Sequence, residues 1–395
     1  MILTKKQEEG LKLILERHKN KEKYTVISGY AGTGKSTLVK VAIEALDVEE
    51  DKVAYATYTG KAAEVLRKKG NDGACTLHKL LYDSIPLPGG GFYRKPKAKL
   101  EEEVIVVDEV SMVPKTMIDM LLKHRVYVIF LGDPFQLPQI DKNEENHLLD
   151  KPHVFLDEIM RQAKDSEIIR VTIDLRTTYD LNLFQGNDVQ ILPREALVTG
   201  MMTWADQIIV ATNVMRQSVN NQMRELLGFS GLPQSGEKMI CLRNYWDCCN
   251  VSNDALVNGT TGIIQNPFES FRRIPPYIKN DRRDLPIIIG DFVPDGSSEG
   301  FHSIEMDKDM IMTGEKCIDW RVAYQLGKMK NKIGDIIPKE FAFAYAITCH
   351  KAQGSEWPKI LTIEERFPFD KVEHARWLYT AATRAEEKLV VIRSN

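Results

Sequence analysis

The sequence predicts an α/β protein with two cores built on parallel sheets, the second core interrupted by a small β domain. Three observations carry this. Short, near-continuous apolar runs alternate with helix-length stretches, the pattern of strands covered on both faces. The pattern runs to about Asn143 and starts again at Gln207. Between Lys238 and Asp335 it gives way to short β-like pieces (KMICLRN, TGIIQN, PIIIGDFV) and turn residues.

In order, Tyr24–Ser28 (YTVIS) is the first strand and leads into a glycine-rich loop, with Lys35–Leu46 as the helix after it. Lys52–Thr57 is a second strand, followed by a short helix in GKAAEVLRKKG that Gly70 closes. Glu103–Val107 and Tyr127–Leu131 are the next two strands. Before them lies SIPLPGGGFYRKPKAKLEE, whose three prolines and three consecutive glycines exclude a core helix or a central strand. It reads as a solvated loop or as a protruding hairpin bearing Phe92, Tyr93, Arg94, Lys95, Lys97 and Lys99.

In the second core Gln207–Thr212 is a strand and Asn213–Leu227 a helix. Phe341–Ile347, Ile360–Ile363 and Leu389–Ile392 are strands, with the helix Glu373–Glu387 between the last two. The expected division is a first core of residues 1–84 and 101–150, an insertion at 85–100, a second core of 151–237 and 336–395, and an inserted β domain at 238–335.

With 395 residues the chain exceeds one ordinary core. Its 43% hydrophobic and 28% charged residues suit a soluble globular protein. A net charge of -3 makes no global case for a nucleic-acid partner, so that case must rest on local patches. The first residues are too charged for a secretory signal, and no apolar run reaches transmembrane length. The expectation is a cytoplasmic protein with no membrane partner. Six cysteines without C-x-x-C spacing point to free thiols and away from a zinc site.

The chemistry starts at GYAGTGKST, which fits the phosphate-loop pattern with Gly29, Gly34, Lys35 and Ser36 in the fixed places. Glycines let the backbone amides face phosphates, and the helix N-terminus adds positive partial charge. Lys35 would reach the β- and γ-phosphates of ATP, and the Ser36 hydroxyl would bind Mg²⁺. The nucleotide-binding set in the loop is Gly29, Gly32, Thr33, Gly34, Lys35, Ser36 and Thr37. Asp108 and Glu109 follow an apolar strand, where a loop brings both carboxylates to the ligand crevice. Asp108 is the second Mg²⁺ residue, and Glu109 orients or deprotonates the attacking water, which means hydrolysis. Arg161 and Arg384, both in the second core, are candidate arginine fingers for the transferring phosphoryl group.

These segments, with others in the same order, resemble superfamily 1 helicases of the RecD-like branch, and the phage Dda-type helicases in particular. The resemblance rests on LTKKQ, GYAGTGKST, ATYTGKAA, CTLHKLL, VVDEVSM, GDPFQLP, IMRQ, ITCHKAQGSEW and YTAATRA, which span nearly the whole chain. It implies two RecA-like P-loop cores that clamp ATP and walk along a single strand. It implies further that Gln7 recognises adenine, Gln136 senses the γ-phosphate, and Glu356, with Gly354 beside it, contacts the nucleotide. It gives Arg161 and Arg384 the finger roles already inferred.

Strand-binding candidates sit in three segments. Thr59, Gly60 and Lys61 stand at a strand-to-helix turn, where hydroxyl, amides and ammonium can meet phosphate. Thr76 and His78 form one T-x-H segment, and Thr348, His350 and Lys351 belong to another, one in each core. The family suggests that the insertion is a pin splitting duplex, with Phe92 or Tyr93 able to stack on a base. It also suggests a small β-barrel for the inserted domain, whose basic stretch FRRIPPYIKNDRR reads as a solvated face.

The reading is an ATP-dependent DNA helicase moving on single-stranded DNA, 5′-to-3′ by resemblance. Expected partners are single-stranded and forked duplex DNA, and a single-strand-binding, replication or recombination protein. Two alternatives stand beside it. One is a DNA-stimulated translocase that remodels protein–DNA complexes without unwinding. The other is a binding subunit that uses ATP as a switch.

Overall fold

The computed structural model describes residues 3–86, 92–139, 141–160, 165–251, 255–278, 283–333 and 336–394. The chain forms two compact units. One is Met1–Asp83, Pro96–Ala211 and Cys349–Asn395; the other is Ser84–Lys95 and Thr212–Thr348.

The chain begins with α1 (Lys5–Lys19), which Thr4 opens in a capping box with Gln7. β1 (Tyr24–Gly29), α2 (Lys35–Leu46), β2 (Val53–Thr57), α3 (Gly60–Lys68), β3 (Cys75–Thr76) and α4 (Leu77–Leu81) alternate after it. A hairpin follows, of β4 (Tyr82–Pro86) and β5 (Phe92–Pro96). Its tip, residues 87–91, lies outside the described residues. β6 (Val104–Val107), α5 (Lys115–Leu121), β7 (Tyr127–Gly132) and β8 (Val154–Leu156) complete a sheet ordered β3-β2-β6-β7-β1-β8.

All pairings in this sheet are parallel. Alternate residues feed two clusters, which is why the strands read as continuous apolar runs. Ile105 and Val107 pack with Val26, Val128 and Phe130 on one face. Val104 and Val106 pack with Ile27, Ile129 and Leu131 on the other. Val107 pairs with Phe130, and Phe130 with Val26, so β6 ends two residues before β7 and three before β1. Parallel strands end on one side, so the loops after β1, β6 and β7 share one edge.

Next come α6 (Glu167–Thr178), β9 (Phe184–Gln185), β10 (Val189–Leu192), α7 (Thr199–Trp204) and β11 (Gln207–Val210). The chain then returns to the second unit with α8 (Asn213–Leu226), β12 (Lys238–Cys241), β13 (Tyr245–Cys249) and β14 (Ala255–Leu256). It continues with β15 (Thr261–Arg273), β16 (Asp284–Pro294), β17 (Phe301–Asp307), α9 (Lys308–Thr313) and α10 (Trp320–Ile333). β18 (Phe341–Phe343) and β19 (Ala346–Thr348) end it. The chain closes with α11 (Cys349–Ala352), β20 (Trp357–Ile363), α12 (Lys371–Ala382) and β21 (Ala385–Ile392).

Within the first unit a second sheet runs β11-β20-β21-β10-β9, parallel except for the edge strand β9. In the second unit an antiparallel sheet runs β17-β16-β15-β12-β18. Its two edges meet at Lys339, whose N–H donates to Glu305 O (2.8 Å) and whose carbonyl accepts from Asp307 N (2.9 Å). β15 continues past Pro267 because the register shifts between Gln265 and Phe268, where Asn266 takes a left-handed backbone (φ 49°). Arg272 and Arg273 of the basic stretch pair with Glu305 and Asp284.

Three elements differ from the sequence reading. The expected strand Phe341–Ile347 is two. Phe341–Phe343 pairs with Met239–Cys241, whereas Ala346 bonds both ends of the Asn220 amide (2.9 Å each). The expected helix Glu373–Glu387 starts at Lys371, because Asp370 caps it, and stops at Ala382, because Ala385 pairs with Trp357. The inserted region also contains α9 and α10. No helix among the described residues is long and apolar enough to cross a membrane.

Candidate active site

Lys35 opens α2 directly after Gly34, whose φ of +78° favours glycine. A Cβ there would stand 2.5 Å from Gln7 Nε2, so the close seat of Gln7 also depends on that glycine. The Lys35 ammonium lies back on its own loop, donating to Gly29 O (2.7 Å) and Tyr30 O (3.0 Å). Gln7 is fully buried. Its Oε1 accepts from Thr4 N (2.9 Å), and its Nε2 reaches Thr33 O and Gly34 O (3.4 Å each). The amide braces the phosphate loop.

Glu109 adopts a left-handed backbone (φ 52°, ψ 46°), costing about 1–2 kcal/mol for a residue with a side chain. Fully buried Val107 and Val110 on either side hold it there. Its N–H donates to Asp108 Oδ1 (2.8 Å). Burial first, and then the neighbouring Glu109 charge, push the Asp108 carboxyl up to about 6. The half-buried Asp108 carboxyl, which feels the Lys35 charge, and the Ser36 hydroxyl in the first turn of α2 are oxygen donors of the kind a divalent cation takes.

The second sheet supplies the other half. Arg384, 3% exposed, donates to Thr380 O (3.2 Å), Ser355 O (3.3 Å) and Thr383 Oγ1 (3.1 Å). Its Nη1 lies 3.7 Å from Glu109 Oε1. Gln136 completes a chain when its amide is oriented by its neighbours: Nε2 donates to Glu109 Oε2 (2.9 Å) and Oε1 accepts from Arg384 Nη2 (3.1 Å). Glu109, Gln136 and Arg384 therefore form one continuous network.

Several residues at this junction were not singled out from the sequence. Tyr379 accepts from the phosphate-loop Ala31 N (3.0 Å) and donates to Asp133 Oδ2 (2.5 Å). Asp133 is buried, which raises its pKa, and it also accepts from Phe135 N (2.9 Å). Leu137 N donates to Thr380 Oγ1 (2.9 Å), and Gln353 Nε2 donates to Leu137 O (2.8 Å). Arg176 lies 3.7 Å from the centre of the Tyr30 ring. The available signal was the one hydroxylated aromatic in YTAATRA, five residues before the arginine. Tyr379→Phe removes both bonds and leaves Asp133 short of a donor. Unfolding in denaturant is expected to show a loss of about 1–3 kcal/mol, and unchanged stability would remove this strap from the account.

The remaining expected residues are placed as follows. Arg161 lies outside the described residues, although its neighbour Met160 donates N–H to Gly32 O (3.0 Å). Glu356 pairs with Lys69 (2.6 Å), a residue whose charge is felt at Asp108. Gly354 (φ +73°) faces Ala62 and Thr59 of the α3 turn. Thr59 caps α3 by accepting from Ala62 N, Gly60 is its first residue, and Lys61 pairs with Glu64 (3.2 Å). Thr76 caps α4, and His78 sits between the Tyr58 and Tyr82 rings. Thr348 ends β19; His350 and Lys351 lie in α11, where burial and then the Lys351 charge lower the His350 pKa. The backbone of Phe92 is in β5, and nothing is described of its side chain. Thr59, Thr76 and Thr348 thus stand at three strand-to-helix turns.

The chain matches the AAA domain family over residues 3–185 and the UvrD-like helicase C-terminal domain over residues 343–392. It is 25% identical over 375 residues to the ATP-dependent RecD2 DNA helicase of Deinococcus radiodurans, covering 92% of this chain and 46% of that protein. It is 34% identical over 418 residues to the RecBCD enzyme subunit RecD of Mycobacterium tuberculosis, covering 94% of this chain and 66% of that one. The chain spans less than half the length of the first curated relatives it matches. The fold is similar to that of the Bacteroides Pif1 helicase solved with ADP-AlF3 and ssDNA (TM-score 0.52, 19% identity, 100% of this chain and 95% of that chain). Family matches at both ends of the chain, relatives along nearly all of it and two parallel sheets agree: the chain belongs to the RecD/Pif1-like branch of the superfamily 1 helicases.

Proposed function

We propose that this chain is an ATP-dependent DNA helicase that moves 5′-to-3′ on single-stranded DNA and opens duplex as it goes. The observation that carries the reading is the Glu109–Gln136–Arg384 network, a carboxylate from one sheet tied through an amide to an arginine from the other. The arginine faces the carboxylate. An ATP γ-phosphate entering between them would take the guanidinium for its own charge and release Glu109 to hold the attacking water. Gln136, bonded to both, would report which state the site is in. Gln7, bracing the loop at Thr33 and Gly34, would turn its amide to adenine when the base arrives.

Ser36 and Asp108 would hold Mg²⁺, which offsets charge on the β- and γ-phosphates when bound. Lys35 would leave its carbonyl partners for phosphate oxygens, a stronger, charge-assisted bond. The turns at Thr59, Thr76 and Thr348 would hold the DNA backbone, so that opening and closing of the site moves the protein along the strand. The relatives named as DNA helicases support this reading, as does the Pif1 structure solved with ssDNA.

The test is unwinding of duplexes that carry only a 5′ or only a 3′ single-stranded tail, with ATP and Mg²⁺. Opening of the 5′-tailed duplex alone is expected. DNA-stimulated ATP hydrolysis without strand separation would favour the remodelling translocase, and negligible turnover would favour the ATP-switched subunit. Deleting residues 86–99, the second half of the hairpin and its tip, is expected to lower unwinding per ATP while translocation persists. Unchanged unwinding by that variant would remove the hairpin from the pin role.

A further inference from the structure

α10 in the second unit has two contrasting sides. Val322 and Leu326 are buried with Ile274, Ile278 and Leu285 in a cluster of their own. Trp320 is 69% exposed and Tyr324 59%. At about 100° per residue, positions 320 and 324 share a face that lies away from 322 and 326. Single exposed aromatics are ordinary, but two on one helical stripe forgo burial together.

The helix contains Arg321, Lys328, Lys330 and Lys332 and no acidic residue, four cations and no anion. The same angular step puts positions 321, 328 and 332 in the sector bordering the aromatic stripe. The Arg321 guanidinium lies 5.6 Å from the Trp320 ring centre. Positions 327 and 331, which extend the stripe, are Gly and Asn. No aliphatic residue prolongs it, so it lacks the continuous apolar face that an interfacial membrane helix inserts. Exposed flat rings with the Arg321 guanidinium beside one of them, on a helix rich in basic residues, instead match the two needs of unpaired nucleic acid, base stacking and phosphate neutralisation.

We propose that α10 is a contact for single-stranded nucleic acid, in which Trp320 and Tyr324 stack on unpaired bases and Arg321 neutralises phosphate. The assignment rests on the helicase reading and adds a binding surface outside the strand-to-helix turns.

The experiment is equilibrium binding of a labelled oligothymidylate to the full chain. Replacing Trp320 and Tyr324 together by Ala is expected to weaken binding by about tenfold per ring. Replacing both by Phe should restore affinity and replacing both by Leu should not, because stacking needs a π-face. Arg321→Gln should lower the salt dependence of binding by about one phosphate contact. Oligothymidylate should quench tryptophan emission in the wild type more than in Trp320→Phe, a comparison independent of the double variants. Unchanged affinity of the Ala pair, or full affinity of the Leu pair, overturns the proposal. So does a Trp320 emission change with anionic vesicles and none with oligothymidylate. If the wild type neither binds oligothymidylate nor hydrolyses ATP faster with it, the helicase reading fails as well. If the wild type does both and the Ala pair binds equally, only the α10 contact fails.

Discussion

Arg384→Ala is expected to bind ATP and to lose turnover by ~10³–10⁵-fold, the range an arginine finger contributes. The residue is 3% exposed, and its guanidinium is positioned by the Thr380 and Ser355 carbonyls and the Thr383 hydroxyl, so its aim is set before any ligand arrives. The phosphate loop, proposed to hold the nucleotide, makes none of these bonds. Affinity for a fluorescent ATP analogue should therefore stay within a few-fold of wild type while steady-state hydrolysis with single-stranded DNA collapses. Arg384→Lys should recover little, because an ammonium cannot reach Gln136 and a phosphoryl oxygen through one planar fork. Normal turnover in either variant would take Arg384 out of the finger role. It would also leave the Gln136 bridge without a catalytic purpose.

Glu109→Gln should have the second largest effect. The amide keeps the size and hydrogen-bonding reach of the carboxylate but cannot accept the proton of the attacking water. A loss of about 10²–10⁴-fold in turnover follows. Gln is as strained as Glu at φ 52°, so the backbone itself contributes no difference in stability. The variant should accumulate in the ATP-bound, closed state and hold single-stranded DNA more tightly than wild type when ATP is present. A titration of labelled oligonucleotide with and without ATP reads this directly. Equal affinity in both conditions would separate closure of the site from the grip on DNA, contrary to the proposed coupling.

Much of the site was legible because its residues lie next to strong local signals. Gly34 and Lys35 follow an apolar strand, and their pattern points to phosphate binding without reference to the rest of the chain. Asp108 and Glu109 end a run of buried valines, and such an ending can only be a loop at the sheet edge. Arg384 was legible as a candidate finger from its segment, but its partners in the fold were not. Gln136 and Arg384 are far apart in sequence, and only packing of the two sheets makes one accept from the other. Tyr379 was harder still, since its role depends on a backbone amide at Ala31 and a carboxylate at Asp133, neither marked by residue type.

The inserted region shows the same division. KMIC and PIIIGDFV signal strands by their apolar β-branched residues, and both are strands. FAFAYAI is equally apolar throughout, yet Phe341–Phe343 and Ala346–Thr348 pair with different partners. α10 escaped notice because Trp320 and Tyr324, which break its apolar pattern, point to solvent.

By itself, then, the sequence determined the alternation of strands and helices, the phosphate loop and the carboxylate pair, because each is encoded within a few neighbouring residues. The tertiary structure decided how the parts combine: Glu109 in a left-handed turn, Gln136 between a carboxylate and a guanidinium, and Tyr379 bonding loop to carboxylate. The Gln136–Arg384 and Tyr379 bonds depend on groups hundreds of residues apart meeting at hydrogen-bond distance. Burial of the two sheets' apolar faces brings them together, and no local pattern records it.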